Sequence, residues 1–127
     1  MRYIGFDMGD GESAVAAFEH GSLIEPVILP VCGSASLLSA VGLLGGEIVV
    51  GDRALTDALA QELSVRFKSR FTTDPSSYED VVRFVRGVLS DLRQSGALRP
   101  DDRFVVGCPA GWNTAARTRY RALLVRA

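Results

Sequence analysis

The chain reads as an α/β fold built on a mixed sheet, three antiparallel strands with one parallel neighbour, and three observations predict it. Short apolar runs bounded by turn residues fill residues 1–29, a long amphipathic pattern runs from about Tyr78 to Ser95, and a further apolar run, Phe104 to Gly107, follows it. A helix of that length is the crossover that a parallel strand requires, whereas antiparallel neighbours need only tight turns.

Residues 2–7, 13–19 and about 23–29 are apolar stretches separated by Asp10-Gly11 and His20-Gly21, the pattern of a three-stranded meander. Ala40-Val41-Gly42-Leu43-Leu44 and Glu47-Ile48-Val49-Val50 flank Gly45-Gly46, a pair able to supply positive φ at both central positions of a hairpin turn. Between these units, Cys32-Gly33-Ser34-Ala35-Ser36 reads as a loop. Asp52 is placed to cap a helix through Ala54, Leu55, Ala58, Leu59 and Leu63, whose spacing fits one buried face.

The clearest helix spans about 78–95. Ser76 and Glu79 have capping-box spacing, Val81, Val82, Val85, Val88, Leu89 and Leu92 form an apolar stripe, and Gly96 supplies a stop. Pro100-Asp101-Asp102 turns the chain into Phe104-Val105-Val106-Gly107, expected to be a buried strand. Asn113 or Thr114 then starts a final helix with Ala116, Tyr120, Leu123 and Leu124 on its apolar side. No terminating glycine, proline or polar tail precedes Ala127, so the chain is expected to stop inside an element.

Composition narrows the class. The 127 residues, 47% hydrophobic and 23% charged, suffice for one packed domain, 1–127, and are too few to expect two. A formal net charge of -1 argues against a broad electrostatic surface for nucleic acid. Cys32 and Cys108 are too few for a disulfide scaffold and lack zinc-site spacing, which points to a reducing, cytoplasmic setting. No apolar run approaches the roughly 20 residues that span a bilayer, so no membrane partner is expected.

The segment Ile4-Gly5-Phe6-Asp7-Met8-Gly9-Asp10-Gly11-Glu12-Ser13 is the most informative stretch. An apolar strand ends in a carboxylate, enters a glycine turn, and returns as Ala14-Val15-Ala16-Ala17-Phe18. Glycine permits positive φ and close approach to a ligand, and successive N–H groups in such a turn can form an anion-binding concavity. Asp7 could orient a hydrated divalent cation, since magnesium takes oxygen ligands and keeps several waters. A plain β-hairpin with a surface Asp fits the same residues.

The order of these elements resembles the DnaK-type, seventy-kilodalton heat-shock chaperone ATPases of the actin, sugar-kinase and heat-shock superfamily. Ile4-Gly5-Phe6-Asp7-Met8-Gly9 is similar to that family's first phosphate motif, an apolar strand leading to Asp-Leu-Gly-Thr-Thr. Val105-Val106-Gly107-Cys108-Pro109-Ala110-Gly111-Trp112-Asn113-Thr114-Ala115-Ala116-Arg117 is similar to its strand, Val-Pro-Ala turn and Asn-started helix. Gly51-Asp52-Arg53-Ala54 resembles its Gly-x-x-Ala at the first helix. The resemblance implies a ribonuclease H-like mixed sheet, an incomplete actin-like ATPase lobe, and ATP and Mg2+ as cofactors of a longer protein. It implies that Asp7 holds water around magnesium and that the turn of Gly9, Asp10 and Gly11 contacts the β- and γ-phosphates. Lys68 would approach the γ-phosphate, and Pro109 would match the interlobe-switch proline. Client or partner proteins would be bound by regions outside these residues.

Departures from the family bear on its chemistry. Asp10 and Gly11 replace the two threonines, so hydroxyl donors are lost and a carboxylate stands near a polyanion's place. At about 4 Å two like charges repel by roughly 1 kcal/mol in water and roughly 4 at an effective dielectric of 20. Neither Asp-x-Gly-Gly-Gly-Thr nor a Gly-Gly adenosine motif occurs, so the chain would line one half of a nucleotide cleft. Two function classes remain: an ATPase portion, or a noncatalytic binding or scaffold module that keeps the fold, with a sugar-kinase relative third. Elsewhere, His20 reads as a surface turn residue, Cys108 as a buried structural thiol, and Trp112 as packing over a strand end.

Overall fold

The computed structural model describes residues 1–21, 23–56 and 61–127. It is an α/β fold with a mixed sheet, one parallel pair and otherwise antiparallel neighbours. β1 (Arg2–Met8) and β2 (Glu12–Glu19) form the first hairpin, and β3 (Val27–Ile28) adds to β2, as the three apolar runs predict. The third strand is shorter than expected. β4 (Leu37–Leu38), not foreseen, pairs with the start of β2 through Glu12↔Leu38 and Ser13↔Leu37.

β5 (Ala40–Leu44) and β6 (Glu47–Val50) close around Gly45 and Gly46, with φ of 60° and 82°, the positive values that the glycine pair was expected to supply. α1 (Asp52–Thr56) follows; Asp52 lies in its first turn. The expected longer helix is corrected at its far end. Leu63 belongs to β7 (Gln61–Val65), which pairs antiparallel with β5, while Ala58 and Leu59 fall outside the described residues. Helical leucine spacing lost to the open edge of β5, whose backbone groups gain partners from β7. Leu63 is consequently half exposed at 49%, and Ser64 is the residue turned inward.

α2 (Ser77–Gln94) carries the expected stripe: Val81, Val82, Val85, Val88, Leu89 and Leu92 are all buried. Its N-terminal cap differs from the expected capping box. Ser76 is itself helical and makes no side-chain cap bond. Asp74 does the work instead, its Oδ1 accepting from Ser76 N at 3.0 Å and Ser76 Oγ at 2.7 Å, which holds its carboxyl below the usual range. Glu79 is spent elsewhere, on Arg126 at 2.6 Å. Gly87 has a packing role no periodicity revealed: a Cβ there would lie 2.5 Å from Val50 Cγ1, so α2 crosses β6 closely at this point. Gly96, with φ of 74°, ends the helix as expected.

β8 (Arg103–Val106) lies parallel to β1 in the register Tyr3↔Arg103 through Phe6↔Val106, the placement the crossover predicts. It is not a buried strand, however. It ends the sheet order β3-β2-β1-β8, and Phe104 and Val105 are 45% and 52% exposed. α3 (Thr114–Arg126) begins at Asn113, whose side chain accepts from Ala116 N at 2.8 Å, and buries Tyr120. The start of β1 is tied to the crossover by Arg2, which donates to both Asp102 carboxylate oxygens at 2.7 and 2.5 Å and to Ala97 O at 2.8 Å.

Candidate functional site

The turn between β1 and β2 is built by backbone closeness. Gly9 N donates to Glu12 O at 3.0 Å, and a Cβ on Gly9 would lie 2.4 Å from that same oxygen. Neither Gly9 nor Gly11 has positive φ, so the conformational freedom expected of them is not what the turn uses. Gly9 is needed for lack of bulk, and Gly11 faces open space. Buried Ser39 then pins the turn: its Oγ donates to Gly9 O at 2.7 Å and its N donates to Gly11 O at 2.8 Å. The Ser39 and Ser13 hydroxyls meet at 2.8 Å. With both glycine carbonyls engaged, the N–H groups of Asp10 and Gly11 have no acceptor among the described residues.

Gly9→Ala should therefore lower stability by at least about 1 kcal/mol, because a backbone clash forces the hairpin to shift, whereas Gly11→Ala should leave it within about 0.5 kcal/mol. Urea unfolding of the two variants checks this. Equal effects would show that the close approach at Gly9 is not limiting.

Lys68 reaches this turn from far along the chain. It is the one lysine among 14 basic residues. Phe67 and Phe71 bracket it and are both buried, Phe67 beside Phe84 with ring centroids 5.1 Å apart and Phe71 stacked on Trp112 at 4.9 Å. These two anchors fix the segment between them, and Lys68 Nζ donates to Met8 O. Burial pushes the Lys68 ammonium below its ordinary value, opposed by the charges of Asp7, Cys108 and Asp10. Thus Asp7, Asp10 and Lys68, singled out from the sequence, share one neighbourhood at the ends of β1 and β8. The Asp7 side chain is exposed there.

Asp10 turns toward the Lys68 loop, its Oδ1 accepting from Ser69 N at 3.0 Å. Pro109 sits in the exposed turn after β8, with its carbonyl accepting from Trp112 N at 3.1 Å. Cys108 is exposed, which corrects the expectation of a buried structural thiol; it follows β8, the strand at the end of the sheet order. Trp112 packs on Phe71 and Tyr120, partners that the expectation of packing over a strand end did not name, while His20 lies in a surface turn as expected, edge-on to Tyr3 at 6.4 Å. Ser39 and the Phe67/Phe71 pair were missed; an aromatic at each side of a lone lysine was the available signal.

Among the described residues no group of three His, Cys, Asp or Glu side chains could hold a metal ion. No helix among them is long and apolar enough to cross a membrane. No family model matches the chain, and no curated protein matches it at a significant level.

Proposed function

We propose that the chain is part of an ATP-binding and ATP-hydrolysing DnaK-like protein, an incomplete actin-like lobe with a ribonuclease H-like sheet, in which the β1–β2 turn receives the β- and γ-phosphates. The observation that supports this most is the arrival of Lys68 at Met8, beside Asp7 and the turn. A lysine held by two buried phenylalanines supplies a point charge to a phosphate. The N–H groups of Asp10 and Gly11 add donors of the kind that make anion-binding concavities. The residues fit a magnesium nucleotide in a limited sense: Asp7 offers one exposed carboxylate to the metal's waters, and the phosphates complete the ligand set. Magnesium, when bound, would neutralise phosphate charge and orient water. Asp10, engaged with Ser69, is drawn to the loop, which lessens its conflict with a polyanion.

The same two contacts favour a second reading. Lys68 on Met8 O and Ser69 on Asp10 could serve solely to staple a loop to a hairpin, as in a noncatalytic scaffold module that has kept the fold. A cytoplasmic setting belongs to both readings, and client or partner proteins bound through further regions belong to the first.

Under the ATPase reading, this chain by itself should bind magnesium-ATP weakly or not at all, since it carries no adenosine half of the cleft. Isothermal titration calorimetry is the measurement. Saturable micromolar binding would overturn the half-cleft assignment.

A further inference from the structure

An open groove of about 640 Å³ lies between β8 and α3, on the helical side of the sheet and outside the phosphate turn. Its size falls within the ordinary range for small-molecule sites, roughly 300–1,000 Å³. Leu89, Phe104 and Leu124 give it apolar walls. α3 presents Arg117, Tyr120, Arg121 and Leu124 to it, the i, i+3, i+4, i+7 spacing of one helical stripe.

Tyr120 makes this more than an apolar cleft. The residue is 3% exposed, and its hydroxyl has no hydrogen-bond partner among the described residues. Buried hydroxyls are ordinarily satisfied, so the orphan on this groove-lining residue is a donor that an acceptor oxygen reaches once the ring turns toward the groove. The two arginines add the sign of the missing group. Arg117 donates one N–H to Ala110 O at 3.0 Å, and neither Arg117 nor Arg121 has a carboxylate partner among the described residues. Thr114–Arg126 contains no acidic residue at all, so the groove's rim is positive. A second copy of this chain docked face to face would bring arginine against arginine, which disfavours self-association here.

We propose that this groove binds an amphipathic carboxylate, with its hydrocarbon body against Leu89, Phe104 and Leu124 and its carboxylate held by Arg117 and Arg121, an oxygen accepting from the Tyr120 hydroxyl. The apolar walls disfavour compact polyanions, and the arginines exclude amines. The site is independent of the nucleotide reading, since it shares none of Asp7, Gly9, Asp10, Gly11 or Lys68.

The chain reports on its own groove. Trp112 is its single tryptophan, and its ring centroid lies 5.2 Å from that of Tyr120. Tryptophan fluorescence should be titrated with decanoate, decan-1-ol and decylamine, each below its micelle concentration. Decanoate should bind saturably at one site, decan-1-ol more weakly, and decylamine not at all. Arg121→Ala should weaken decanoate binding about tenfold, the worth of one charge-assisted contact. Tyr120→Phe keeps the ring and the fold, and should weaken it severalfold. Absence of saturable decanoate binding, equal binding of decylamine, or unchanged affinity in an Arg117→Ala/Arg121→Ala variant that melts like the parent would each overturn the proposal. So would binding to phosphatidylglycerol vesicles without binding to monomeric decanoate, which would assign the face to a lipid surface.

Discussion

Asp7→Asn, in a protein that joins this chain to an adenosine-binding half, is expected to slow single-turnover ATP hydrolysis by about a hundredfold while changing nucleotide affinity far less. A carboxylate that orients a metal's waters matters most as charge develops in transfer, and losing such stabilisation commonly costs on the order of 3 kcal/mol. Asp7 is exposed at the end of β1, so the substitution disturbs no packing. Lys68→Ala should act in the same direction, with Phe67 and Phe71 still holding the loop. Asp10→Thr restores a hydroxyl and removes a negative charge, and should tighten nucleotide binding. It also removes the Ser69 contact, so a thermal melt must accompany it. A parent without activity above buffer, unrescued by Asp10→Thr, would transfer the assignment to the scaffold module. In that case Lys68→Ala should still loosen the hairpin, because the staple would be its whole role.

The second large effect concerns stability. Asp102→Ala should cost about 2 to 3 kcal/mol, because it strips a bidentate partner from Arg2 and the acceptor from Arg99 N. The Asp102 side chain is 1% exposed and that of Arg2 is 12%, so water can relieve the abandoned guanidinium only in part. The pair joins the first residue of β1 to the turn before β8, and its loss weakens the one parallel pairing in the sheet. Arg2 holds the Asp102 carboxyl below the usual aspartate range. A depressed folded-state value gives stability that is complete above the ordinary aspartate pKa, about 4. That stability is lost as pH falls through the folded-state value. The stability gap between parent and Asp102→Asn, read from urea unfolding, should therefore be full at pH 7 and close progressively below about pH 4. A gap that stayed constant into that acid range would show that the pair contributes nothing through charge.

Much of the fold was written in short-range pattern. The β1–β2 hairpin follows from two apolar runs around Gly9–Gly11, the β5–β6 hairpin from Gly45-Gly46, and α2 from its valine and leucine stripe with Gly96 behind it. Even the parallel place of β8 could be read, because a long crossover helix leaves few alternatives. These features depend on residues within a few positions of one another, where backbone sterics and hydrophobic period act directly. Only the tertiary structure decided the rest. β7 displaced a helical pattern because β5 had an unpaired edge, Asp74 displaced Ser76 as the cap, and β8 stayed exposed as the strand at the end of the sheet order. The site shows the same division. Asp7 and the glycine turn are visible as a motif, but the contact of Lys68 with Met8 spans 60 residues and exists because Phe67 and Phe71 are drawn into a core assembled from distant segments. Burial of that kind is a property of the whole packing, and no local period encodes it.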